Sequence, residues 1–159
     1  MLGGSVPVGG LSSSRGFDYE GFIRELREMV QELEEEKKKL ADKYRRFYLH
    51  IVKTLLKHGV NNVIAAGMFG AVDKTLEVGI VIEDNTVYYL DAERDIRVIL
   101  ETEEDVLTAI DVIYGDLLLM LSPRYMVEIL KKQFEKLARG ENALASFLPR
   151  RSREYPEIP

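Results

Sequence analysis

From Asp18 to about His58 the chain contains no proline and a single glycine, Gly21. Proline breaks a helix and glycine weakens one. The segment is therefore predicted to form one helix of about forty residues, roughly 60 Å long at ~1.5 Å per residue. That is far beyond the usual helix of a globular domain. Its apolar residues fall at Ile23, Leu26, Val30, Leu33, Leu40, Tyr44, Phe47 and Ile51, in alternating steps of three and four. This spacing is a heptad register. Ile23, Val30, Lys37, Tyr44 and Ile51 take the a positions, and Leu26, Leu33, Leu40 and Phe47 the d positions. β-Branched residues at a with leucine at d favour a parallel two-stranded coil, and a lone polar a residue, here Lys37, fixes register at some cost in stability.

The positions flanking the seam do not form the opposite-charge pairs that a two-stranded coil prefers; they are Phe22–Arg27, Met29–Glu34, Glu36–Ala41 and Lys43–Tyr48. The run Glu34-Glu35-Glu36-Lys37-Lys38-Lys39 instead places acids before bases along one helix, each pair worth ~0.3–0.5 kcal/mol. The middle of the helix can therefore stand in water. From Tyr44 onward the stripe widens to include Tyr48, Leu49, Val52, Leu55 and Leu56, a width suited to packing on a sheet. The helix is read as having two jobs. Its C-terminal half enters the domain core, and its N-terminal half projects and seeks a partner helix. The competing arrangement is an intramolecular hairpin with the C-terminal helix.

Beyond residue 59 the period changes. Asn61 to Phe69 is a small-residue apolar run. TLEVGIVIE alternates, with Leu76, Val78, Ile80 and Ile82 on one face and Glu77, Gly79, Val81 and Glu83 on the other. Asp84-Asn85 is a two-residue turn signal before TVYYL, and Asp91 to Asp95 is a polar turn before IRVIL. Thr102 with Asp105 approximates a capping box for a helix whose buried face holds Val106, Leu107, Ile110 and Ile113, with Gly115 as its left-handed stop. Leu117 to Leu121 reads as a strand covered on both faces. Ser122-Pro123 opens a last helix that Gly140 ends, with Met126, Ile129, Leu130, Phe134 and Leu137 on its buried stripe. The predicted class is α+β: a long N-terminal helix, then a mainly antiparallel sheet of four to five strands with two further helices, in the order α-β-β-β-β-α-β-α. The predicted organisation is a Gly/Ser-rich disordered head at 1–16, the long helix at 17–58, the α+β domain at 59–148 and a mobile tail at 149–159.

Composition removes much chemistry. The 159 residues include no cysteine and two histidines, which excludes disulfides, thiolate metal sites and cysteine nucleophiles. His50 and His58 have neither cysteine neighbours nor a zinc-pair spacing. They read as helix-surface residues. No Gly-x-Ser-x-Gly occurs. Gly67-Met-Phe-Gly70 before Lys74-Thr75 departs from a phosphate loop, because Asp73 stands where glycine belongs and a strand follows. Asp91-Ala-Glu93-Arg-Asp95 lacks the sixth-position glycine of a calcium loop. No metal or cofactor is expected. Residues 59–116 carry three bases against thirteen acids, a field that repels a phosphate backbone, so nucleic acid is not expected as a partner. No apolar run reaches membrane-spanning length, and the start has no secretory pattern. A cytoplasmic location follows as an expectation. Six Asn and Gln, no cysteine and abundant Glu, Lys and Arg suggest a thermophile.

RDIRVILETEEDVLTAIDVIYGDLLLML, within Leu76–Leu137, resembles the sterol-carrier-protein domain family in its strand, acidic-start helix and glycine-opened strand. Gly115 falls at that family's first strand glycine, while Ser122-Pro123 replaces the second. The resemblance implies a tunnel for a lipid or fatty acyl chain between sheet and helices. It would be faced by apolar residues such as Ile80, Ile82, Val98, Met126, Leu130 and Phe134; otherwise these are plain core. From the residues themselves the first expectation is a non-enzymatic assembly protein. It would self-associate, or bind a helical protein partner, through Ile23, Leu26, Val30, Leu33, Lys37 and Leu40. An apolar-ligand module is the alternative.

Overall fold

A computed structural model describes residues 16–149. The head and tail read above at 1–16 and 149–159 lie, apart from Gly16 and Pro149, outside the described residues. The elements are α1 (Tyr19–Lys57), β1 (Val63–Phe69), β2 (Leu76–Glu83), β3 (Thr86–Asp91), β4 (Ile96–Ile99), α2 (Glu103–Tyr114), a 3-10 segment (Gly115–Met120), α3 (Pro123–Ala138) and a short 3-10 turn (Ala145–Phe147). The predicted α+β class is the one found. The chain divides into two units whose boundary falls inside α1, between Lys39 and Leu40.

In the first unit α1 begins where Asp18 caps it. The Gly21 N–H donates to Asp18 Oδ1 and the Phe22 N–H to Asp18 O, each at 3.0 Å. Phe17 packs edge-on against Tyr19 and Phe22, with ring centroids 4.7 and 5.5 Å apart.

In the second unit α1 buries Tyr48, Ile51, Val52 and Leu55, the widened stripe expected to meet a sheet. The helix ends with the Gly59 N–H bonded to Leu56 O and the Val60 N–H to Leu55 O, the paired bonds of a Schellman stop. The sheet is an antiparallel meander in the order β1-β2-β3-β4. Asp84 and Asn85 both adopt positive φ, 52° and 58°, as a two-residue hairpin turn requires. The Asn61 side chain then donates to Asn85 Oδ1 and accepts from the Asn85 backbone N–H, which ties this turn to the start of β1.

The alternation predicted for β2 holds at its start and is lost in its middle, where Ile80, Val81 and Ile82 are all fully buried. The centre of the sheet is thus covered on both faces. Gly67 and Gly79 face each other across β1 and β2, and the Leu76 side chain occupies the space their Cβ atoms would take, 2.6 and 2.9 Å from Leu76 Cδ1. The Gly67–Gly70 segment is therefore strand and turn. The turn is closed by Gly70 N–H to Thr75 O and by the Asp73 carboxylate, which accepts from the Thr75 N–H and hydroxyl.

The outer edge of β1 is buried, and its backbone groups are paired by side chains. The Gln133 amide accepts from the Ile64 N–H at 2.8 Å and donates to Ile64 O at 2.9 Å. The Tyr114 hydroxyl accepts from the Gly67 N–H at 2.9 Å and donates to Gly67 O. The Leu144 N–H reaches Asn62 O at 2.8 Å. Burial raises the Tyr114 hydroxyl far above the ordinary tyrosine range, so it stays a proton donor.

Two expectations are corrected. Leu117–Leu121 is not a fifth strand: Gly115–Met120 is 3-10 helix, with Leu118 buried and Met120 exposed. A short apolar run does not reveal its own period, and the outer edge of β1 is already occupied by side chains. Gly115 does end α2 with positive φ, but its ψ of −131° lies outside the left-handed helical region.

Replacing Gln133 with Met keeps roughly the volume and strands both backbone groups of Ile64. Denaturant unfolding should show a loss of about 2–4 kcal/mol, while the same change at the exposed neighbour Lys132 should cost almost nothing.

Candidate partner-binding surface

The heptad seam lies on the outside of α1. Ile23, Leu26, Val30 and Leu33 are 45, 37, 50 and 64% exposed, Leu40 is 43% exposed, and Lys37 is exposed between them. Phe22 and Met29 widen the apolar strip at the same level of exposure. At ~1.5 Å per residue the strip from Ile23 to Leu33 runs roughly 15 Å. Its residues follow from composition. The helix runs unbroken from Tyr19 to Lys57, and acid-before-base pairs and straight-chain residues support its exposed part. Burial begins further along. Tyr44 and Phe47, the seam positions after Leu40, pack against the core of the second unit, and Ile51 is buried within it. There Arg45 bridges Asp42 and Asp111 at 2.8 and 2.7 Å, and Lys53 pairs with Glu103 at 2.7 Å, fastening α1 to α2.

The six tunnel positions do not converge. Ile80, Ile82 and Met126 lie in one buried core with Leu130 packed against it, whereas Val98 and Phe134 are 49 and 43% exposed. Val98 instead borders an open groove of about 290 Å³ between β4 and α2, together with Tyr89, Leu100, Asp105, Thr108 and Val112. At its end Asp105 completes the predicted capping box, with aspartate serving where glutamate is commoner. The Asp105 N–H donates to Thr102 Oγ1 at 3.0 Å, and the Asp105 carboxylate accepts from the Thr102 and Glu101 N–H groups. Those backbone donors hold the Asp105 carboxyl below the usual carboxylate range.

Among the described residues no three His, Asp or Glu side chains are grouped to hold a metal. His58 Nδ1 lies 3.0 Å from Thr54 O on its own helix, and Ser146 donates to Ala143 O. The Asp91 carboxylate receives the Arg94 N–H as an ordinary turn acceptor. No described helix is long and apolar enough to cross a membrane. Comparison with family models, curated proteins and solved structures finds no match to this chain.

The depressed Asp105 carboxyl has a definite sign. Its ionised form is the one the fold holds, so its contribution is present above the unfolded carboxylate value and fades as pH falls through the lowered one. Unfolding followed from about pH 6 to pH 2 should steepen in the acid limb, and Asp105→Asn should flatten that limb. An identical acid limb in both proteins would show that the cap carries no such linkage.

Proposed function

We propose that this chain is a non-enzymatic assembly protein that associates through α1, with a second copy as the simplest partner. The observation that carries this is the exposed heptad strip, Ile23, Leu26, Val30, Leu33 and Leu40, on a helix that buries Tyr48, Ile51, Val52 and Leu55 further along. A strip of that size is an aggregation liability unless something covers it, and its period is the one another helix covers best. Lys37 breaches the strip once, as a register-setting residue would. The mixed charges of the exposed face keep the uncovered remainder soluble. The tunnel positions give an apolar-ligand role less support, because two of the six face solvent.

Leu33 is the most exposed of the seam residues and so tolerates change within its own chain. Burying it in each of two helices gains about 1.5 kcal/mol per copy, roughly 3 kcal/mol together, on the order of a hundredfold in association. Light scattering should therefore give Leu33→Glu at most half the wild-type mass at equal concentration, with an unchanged helical circular-dichroism signal. Equal masses for the two proteins would overturn the reading.

A further inference from the structure

The two edges of the sheet are treated in opposite ways. The β1 edge is sealed by Gln133, Tyr114 and the Leu144 N–H. The β4 edge is open. Every residue of β4, Ile96 to Ile99, is exposed, with Ile96, Val98 and Ile99 at 44, 49 and 54%. The Leu100 N–H donates inward to Val87 O, and antiparallel parity then turns the Val98 and Ile96 backbone groups inward as well. The N–H and C=O of Arg97 and Ile99 point away from the sheet. None of these four groups has a partner among the described residues. The next outward N–H, that of Glu101, is taken by Asp105.

Natural edges are usually guarded by shortness, charge, proline or a covering element, and β4, at four residues, is short. Here the one charge on β4 is turned back onto the sheet. Arg97 pairs with Glu83 on β2 and lies over the Tyr88 ring at 5.5 Å. The guard is neutralised, and three apolar side chains remain at the rim.

We propose that β4 is a second interaction surface and that its occupant is the β4 strand of another copy, paired antiparallel about a two-fold axis through Val98. An open edge with alternating donors and acceptors is matched by another strand. In this register Arg97 lies opposite the second copy's Ile99, and Ile99 opposite its Arg97. The four outward groups of each strand then satisfy one another. Within Ile96–Ile99 no like charges face across the axis, while at the ends of the strand Asp95 falls opposite the second copy's Glu101. Val98 meets its own counterpart in a non-hydrogen-bonded pair, on the face that borders the groove formed with α2, and the exposed Val112 on that groove gains cover. Because β1 is sealed, this contact consumes the sheet's single open edge among the described residues. Taken alone, with the α1 seam disabled, it closes as a pair and does not extend into a fibre.

This contact does not depend on the α1 seam, and the test is run with that seam disabled by Leu33→Glu. The chain has no native cysteine, so single cysteines report unambiguously. Val98→Cys would bring two Cα atoms about 4.5 Å apart across the axis, within disulfide reach. Ile96→Cys would leave them roughly 14 Å apart at ~3.4 Å per residue. The expected result is a two-chain mass for the Leu33→Glu protein at ~100 µM, near-complete disulfide dimer for Val98→Cys under mild oxidation, and at least tenfold slower crosslinking for Ile96→Cys. Ile99→Lys, which sets lysine opposite Arg97 of the other copy, should return the protein to a single-chain mass with its thermal unfolding still cooperative. A single-chain mass before that substitution, equal crosslinking at the two positions, or a two-chain mass that survives Ile99→Lys would each overturn the proposal.

Discussion

The second unit depends on how the buried edge of β1 is satisfied. An unpaired backbone amide in a dry interior costs more than most side-chain contacts return. Here Gln133 and Tyr114 each present one donor and one acceptor to a single residue of β1, standing in for the missing neighbouring strand. Gln133 belongs to α3 and Tyr114 to α2. The same bonds therefore set where both helices rest against the sheet. Among the described residues no buried side-chain polar atom is left without a partner, so burial at this edge is not offset by desolvation losses.

Sealing one edge while leaving the other open gives the sheet a direction. On the β1 side helices and backbone are locked together by paired, buried groups. On the β4 side a short apolar strand, with its arginine drawn back to Glu83 and Tyr88, presents free backbone groups to solvent. The long helix shows a similar change along its own length. One heptad register runs from Ile23 to Ile51, but its apolar positions up to Leu40 remain exposed, Tyr44 and Phe47 are half-buried and Ile51 is buried. A single period thus serves two environments, because the width of the apolar strip changes while its spacing does not.

Much of this was legible in the chain itself. The absence of proline from Asp18 to His58, the Asp84-Asn85 turn, and the Thr102 and Asp105 cap are local rules. Each depends on the conformational preferences of a few neighbouring residues, so helix α1, the β2–β3 hairpin and the start of α2 lie where expected. The errors share one cause. The Leu117–Leu121 run is apolar throughout and so carries no period to separate strand from 3-10 helix. The two-sided burial of Ile80, Val81 and Ile82 depends on what covers each face, which no alternation within β2 records. Gln133 drew no notice in the sequence. A lone glutamine on an otherwise apolar helix stripe, between Ile129, Leu130 and Leu137, is the signal that a buried polar partner awaits it.

By itself the sequence determined the class of fold, the length and register of the leading helix, the turns and caps, and the absence of cysteine chemistry, because these follow from short-range sterics, hydrogen bonding and composition. Only the tertiary structure decided which sheet edge is sealed and which is open, which apolar residues are core and which are surface, and which backbone groups Gln133 and Tyr114 meet across 69 and 47 residues of chain. Those outcomes depend on contacts between segments far apart in sequence, and the free energy of such a contact is set by both partners together.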